Sequence, residues 1–170
     1  MILVSGAVRE EDIVFSGTGH THIGGAQGST LGLDALRVDE QSAENAAAVT
    51  LPAGGLLIVA LPEMTVAVGD RVLVYALAIA IKGATDGATM IRVEQLAGTA
   101  TGIFINDEVN ITNSDHVLAN NTARMILAGM YRITGAGTLT LRLLGFSTGS
   151  DSTIAIGDGD IHALVLRGTG

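Results

Sequence analysis

The sequence predicts an all-β protein, and three observations carry that expectation. Short runs rich in Val, Ile and Leu recur between breaks that contain Gly, Asp and Asn, the pattern of many short strands joined by tight turns. Glycine is abundant at 23 residues while proline is almost absent at 2, so turns are available and few strands are interrupted. No series of amphipathic helical segments alternates with the strand-like runs; Asp39 to Ala48 is the single short helix the pattern allows.

In chain order, strands are expected near Leu56–Leu61, Val72–Ile81, Thr89–Leu96, Gly102–Ile105, Glu108–Thr112, Thr122–Thr134, Thr138–Phe146, Thr153–Ile156 and Ile161–Arg167. Turns fall between them at Val68-Gly69-Asp70, Gly83 to Gly87, Asn113-Ser114-Asp115, Gly135-Ala136-Gly137, Ser147 to Ser152 and Gly157 to Asp160. The first forty residues differ. Punctuated by glycine around Gly17-Thr18-Gly19-His20-Thr21-His22-Ile23-Gly24-Gly25, they read as an extended arm, so the chain divides into an arm over residues 1–49 and a β-sandwich domain over 50–170.

Composition adds a constraint on surfaces. Only 15% of residues are charged, against about a quarter in ordinary domains, and mean hydropathy is positive. Apolar surface left over once one core is filled must be hidden, and a subunit interface is the usual place. The run Val72–Ile81 sharpens this, because both its faces are apolar: Leu73, Tyr75, Leu77, Ile79 and Ile81 alternate with Val72, Val74, Ala76, Ala78 and Ala80. A partner sheet buries one face. The small-residue face, Val72 to Ala80, is assigned to close approach by a neighbouring subunit. A central strand of a monomeric sandwich would show the same pattern.

Several classes of chemistry lose support. There is no cysteine, hence no disulfide, thiolate ligand or thiol nucleophile. A formal charge of −8, with Lys82 the one lysine, leaves no basic stripe for nucleic acid. No apolar run approaches the length of a membrane-spanning helix, and the N-terminus lacks the basic and apolar segments of a secretory signal. G-x-S-x-G, a P-loop and a complete G-x-G-x-x-G are absent, the last because His22 takes the third glycine's place. Asp107, Glu108, Asp115, Asp158 and Asp160 could supply a carboxylate pair, and Asp151 with Asp158 and Asp160 a calcium loop, but turn stabilisation accounts for all of them. His116 and His162 have no ligand partner near them in sequence.

The most specific local feature is His20-Thr21-His22. In an extended segment both imidazoles lie on one side of the chain. Three chains around a threefold axis would offer six nitrogens, suited to an iron or zinc ion, with the surrounding glycines permitting the backbones to approach.

Residues Gly135 to Gly170 resemble the closing strands of trimeric jelly rolls of the tumour-necrosis-factor and complement globular-head type, as found in virion proteins of tailed bacteriophages. The resemblance rests on a long penultimate strand, a small-residue loop at Ser147–Ser152, a Gly-Asp turn and a final apolar strand ending near the C-terminus. Gly19-His20-Thr21-His22 is similar to glycine/histidine elements of phage fibres and spikes, although those usually continue with Asp-Gly where this chain has Ile23-Gly24. The resemblance implies an antiparallel jelly-roll sandwich, a homotrimer, and a place in the virion after assembly in the host cytoplasm. It further implies a non-enzymatic capsid decoration (cement) protein that stabilises the shell. Its arm, including Ile2, Val4, Ile13 and Phe15, would attach to the major capsid protein or another virion protein. The alternative within the same resemblance is a tail or head-fibre tip that recognises host glycans or proteins through loops such as Asn106–Asn110 and Asn113–Asn121. Two other classes remain: a metal-dependent jelly-roll isomerase or lyase, and a ligand-binding module whose pocket contains Tyr131 or Phe104.

Overall fold

The computed structural model describes residues 19–20, 31–32, 38–105 and 108–167. Two compact units result, with the division before Val38, so the sandwich unit begins ahead of the boundary expected at Thr50. In the first unit, β1 (Gly19–His20) pairs antiparallel with β2 (Leu31–Gly32), placing His20 opposite Leu31. The second unit contains all the remaining elements, and among the described residues all regular structure is strand.

Expected and observed strands agree closely in the middle of the chain. β5 (Leu56–Ala60), β7 (Arg71–Lys82), β8 (Gly87–Ala97), β9 (Thr101–Phe104), β11 (Thr122–Gly135) and β12 (Gly137–Ser147) stand where alternation and turn residues place them. Three differences have clear physical causes. Asp39–Ala48 is not a helix: β3 (Val38–Glu44) takes its backbone partners from the last strand, a non-local pairing that overrides local helix preference. The turn expected at Asn113–Asp115 lies inside β10 (Asn110–Val117), whose polar side chains suit an exposed edge strand. The two expected C-terminal strands are one, β13 (Ser152–Leu166), with the Gly157–Asp160 turn reduced to an irregularity between Ile154 and Gly159. Short strands β4 (Val49–Leu51) and β6 (Met64–Val66) complete the set.

The strands form two antiparallel sheets. One runs β3-β13-β7-β11-β9 with β4 added beside β13, and the other β10-β8-β12-β5 with β6 added beside β12. Setting aside β4, β6 and β9, the pairings are nested: β3 with β13, β5 with β12, β7 with β11, and β8 with β10. Each pair closes around the next, from the outermost strands inward to β8 and β10.

Packing between the sheets explains which face of each strand points inward. Val72, Val74, Ala76, Ala78 and Ala80 of β7 are buried, sharing one core with Leu139, Leu141 and Leu143 of β12 and Ile91 and Val93 of β8. The small side chains of β7 thus share the core with larger ones from both sheets, among them Met125, Leu127 and Ile161 beside them, at a sheet spacing of about 10 Å. At one end of this core Phe104 and Tyr131 meet edge to face, ring centroids 4.9 Å apart, and the Tyr131 hydroxyl donates to Gln95 Oε1 at 2.8 Å. Burial raises the Tyr131 phenol above its ordinary value. Asn45, almost fully buried, secures the end of β3: its Nδ2 donates to Ala47 O and Ala155 O, and its Oδ1 accepts the Gly159 N–H at 2.8 Å.

Two stability predictions follow from this packing. Ala78→Leu should lower the free energy of unfolding in urea by about 1–3 kcal/mol, because a buried methyl site has no room for a larger side chain. Asn45→Ala should cost about 1–3 kcal/mol in the same measurement by stranding the Gly159 N–H and two carbonyls.

Candidate assembly face

The inward turn of the small residues corrects the assignment of Val72, Val74, Ala76, Ala78 and Ala80 to a trimer interface. All five are at most 3% exposed within a single chain. The opposite face of β7 points out, with Tyr75 42% and Ile81 54% exposed and Leu73, Leu77 and Ile79 partly covered. The reason is volume: larger side chains from both sheets, among them Leu141 and Leu143 of β12, Ile91 of β8 and Met125 and Leu127 of β11, share this core, and β7 adds Val and Ala to it.

Strand register builds the outer face row by row. Glu40, Leu164, Leu73 and Met130 lie across one row; Ser42, His162, Tyr75 and Ala128 across the next; Glu44, Asp160, Leu77 and Ile126 across the third. Arg71 sits beside Arg132 at one end, and Ile79 beside Arg124 at the other. A groove of about 560 Å³ runs over the second row, between Tyr75, His162, Ala128 and Glu40. It exists because Ala128 is small next to Tyr75, whose ring lies 6.4 Å from the His162 imidazole at a 49° tilt. Asp160 Oδ1 accepts the Leu77 N–H at 3.1 Å, fixing β13 to β7 where their pairing is irregular.

The outer face of the second sheet is organised differently. Arg142 donates to Glu94 Oε1 from both Nε, at 3.0 Å, and a terminal nitrogen, at 2.5 Å. Arg92 Nε lies 2.9 Å from Glu94 Oε2, though without hydrogen-bond alignment, and the Arg92 guanidinium covers the Phe146 ring at 4.7 Å. Charges there meet their opposites within the chain.

At one end of the sandwich is a buried polar cluster with no signal in the sequence. Lys82, 1% exposed, donates from Nζ to Ser147 Oγ at 2.6 Å, to Ser150 O at 2.6 Å and to Thr148 O. Ser147 Oγ donates to Ser150 O at 2.7 Å, and Ser152 Oγ lies 2.9 Å from it and 2.8 Å from Thr89 Oγ1. A lysine beside a serine suggests a nucleophile and its base. Here Nζ donates to three oxygens, Ser147 Oγ among them, and both groups are enclosed. The arrangement instead binds the β12–β13 loop to the end of β7. Close backbone approach completes it: a Cβ on Gly87 would stand 2.0 Å from Thr148 O, and one on Gly149, at φ +82°, 2.1 Å from Asp86 O.

Other expected residues are placed as follows. His20 lies in β1, while His22 and the arm residues Ile2, Val4, Ile13 and Phe15 lie outside the described residues, as does Asp107. Glu108 and Asp115 are exposed and lie apart from the partly buried Asp158 and Asp160 of β13. Among the described residues no group of three or more His, Cys, Asp or Glu side chains converges as a metal site would require. His116 is exposed on β10. Tyr131 and Phe104 are core residues, both almost fully buried. No helix among the described residues is long and apolar enough to cross a membrane.

No known family model matches the sequence, and no curated protein matches it. Among solved structures, one chain from the structure of infectious bursal disease virus, Gx strain, is similar over 93% of this chain with a TM-score of 0.45 and 14% identity. This chain spans 42% of that chain's length.

Lys82→Met should lower the unfolding free energy by about 1–3 kcal/mol through the acceptors it strands, and should make the loop at Ser147–Ser152 a preferred site of limited proteolysis. Urea titration and mapping of the first cleavage site check both effects.

Proposed function

We propose that this chain is a jelly-roll structural protein of a tailed-phage virion, a homotrimeric capsid decoration protein that stabilises the shell rather than an enzyme. The observation that carries the reading is the nested pairing of eight strands, β3 with β13, β5 with β12, β7 with β11 and β8 with β10. A long antiparallel ribbon rolled upon itself into two sheets would produce that order, which supports the jelly-roll reading. Assembly is favoured by the low charged fraction and by the apolar outer face of β7, which water covers at a cost in a lone chain. A structural role is favoured by the destination of the polar residues: Lys82, Asn45 and Tyr131 are all committed to holding the sandwich together.

In this reading the sandwich covers a junction between shell subunits, and the segment with Ile2, Val4, Ile13 and Phe15 makes the attachment. Three copies of His20 and His22 would meet on the trimer axis with iron or zinc among them.

Light scattering on the purified chain should give three times its 17.3 kDa mass, with about one iron or zinc per three chains in the same peak. Deleting residues 1–36 should leave the trimer intact and abolish co-sedimentation with capsids. Capsid binding that survives the deletion would remove the attachment role from this segment, and a full-length trimer that ignores capsids but binds host cells would move the protein to a fibre tip.

A further inference from the structure

We infer that the outer face of the β3-β13-β7-β11 sheet is a seat for a second copy of this chain, docked with the acidic side of one face against the basic side of the other. The inference rests on the assembly reading above and identifies the surface and polarity of contact. The centre of the face is apolar, formed by Leu73, Leu77, Ile79, Ile126, Leu164 and the Tyr75 ring. Its charges are segregated to the two flanks. Glu40, Glu44 and Asp160 lie on the β3–β13 side, and Arg71 and Arg124 on the β7–β11 side.

Within one chain β13 and β7 lie between Glu40 and Glu44 on β3 and Arg124 on β11. Among the described residues no ion pair joins Glu40 or Glu44 to Arg71 or Arg124. A partner of uniform charge would satisfy one flank and be repelled by the other. Further copies of the chain answer both, since around a threefold axis the acidic flank of each meets the basic flank of the next. The opposite sheet makes the contrast, because Arg92, Arg142 and Glu94 satisfy one another there and leave no such polarity. The groove beside Tyr75 and His162 supplies the concavity into which a side chain of the second copy fits.

The test uses the full-length chain and three sets of substitutions, read by light scattering across a dilution series, with circular dichroism confirming that each variant is folded. Tyr75→Glu with Ile126→Glu, both on exposed positions, should give folded monomers. Glu40→Arg with Glu44→Arg, and separately Arg71→Glu with Arg124→Glu, should each raise the dissociation constant about tenfold or more by placing like charges together. All four charge reversals in one chain should restore association to within a few fold of the original. An oligomer indifferent to every one of these changes would overturn the face assignment while leaving assembly standing. A dimer abolished by Tyr75→Glu with Ile126→Glu would support the face and overturn the trimer. A chain monomeric at all concentrations would overturn the inference, with capsid co-sedimentation still deciding the decoration reading separately.

Discussion

The spacing between the two sheets is the constraint on which the rest of the structure depends. About 10 Å must be filled completely, without voids and without overlap. β12 contributes Leu139, Leu141 and Leu143, β8 Ile91 and β11 Met125 and Leu127, so β7, central in its sheet, adds little more than methyl and isopropyl groups. β7 satisfies that demand with Val72, Val74, Ala76, Ala78 and Ala80. Because strand side chains alternate, this choice simultaneously turns Leu73, Tyr75, Leu77, Ile79 and Ile81 outward. Core packing and the apolar outer surface are therefore one decision, and the surface follows from the core.

The same alternation accounts for what was legible in the sequence and what was not. Strand existence was readable from runs and turn residues, and the long central strands stand where they are expected. The direction in which β7 faces was not, because its two faces are both apolar and hydrophobicity alone ranks the Leu, Ile and Tyr face as the better core. The flanking charges give opposite signals. Arg71 shares its face with Leu73 and marks it as outer, whereas Lys82 shares its face with Ala80 and marks that one as outer instead. Lys82 misleads because acceptors from a loop far along the chain enclose it, and no local pattern reports them. Stronger evidence lay in the neighbouring strand, where Arg124 and Arg132 share parity with Ile126 and Ala128; once β11 is paired with β7, they place the Leu and Ile face outside.

β3 shows a second limit of local reading. Its sequence, VDEQSAE, has helix-favouring residues and little β-branching, and it becomes a strand because the final strand offers it an edge. A segment that must close the outermost pair of a nested set is specified by its partner more than by its own propensity. Its acidic residues then serve a purpose in that position, since Glu40 and Glu44 on an edge discourage unregulated strand addition. The same side chains create the negative flank of the outer face.

Burial also separates the polar groups that build the fold from those left for recognition. Lys82, Asn45 and Tyr131 are enclosed and each has its hydrogen bonds answered within the chain, which stiffens the sandwich ends without exposing reactive groups. His162, Glu40 and Arg124 remain accessible, spread across a surface with apolar residues at its centre. A catalytic centre would require the reverse arrangement, with reactive groups converging in a cleft and apolar residues excluding water around them. Among the described residues the convergent polar groups are those that hold the sandwich ends together, and the accessible ones are dispersed along the rows of a broad sheet. Geometry of that kind suits recognition over area, where many weak contacts act together.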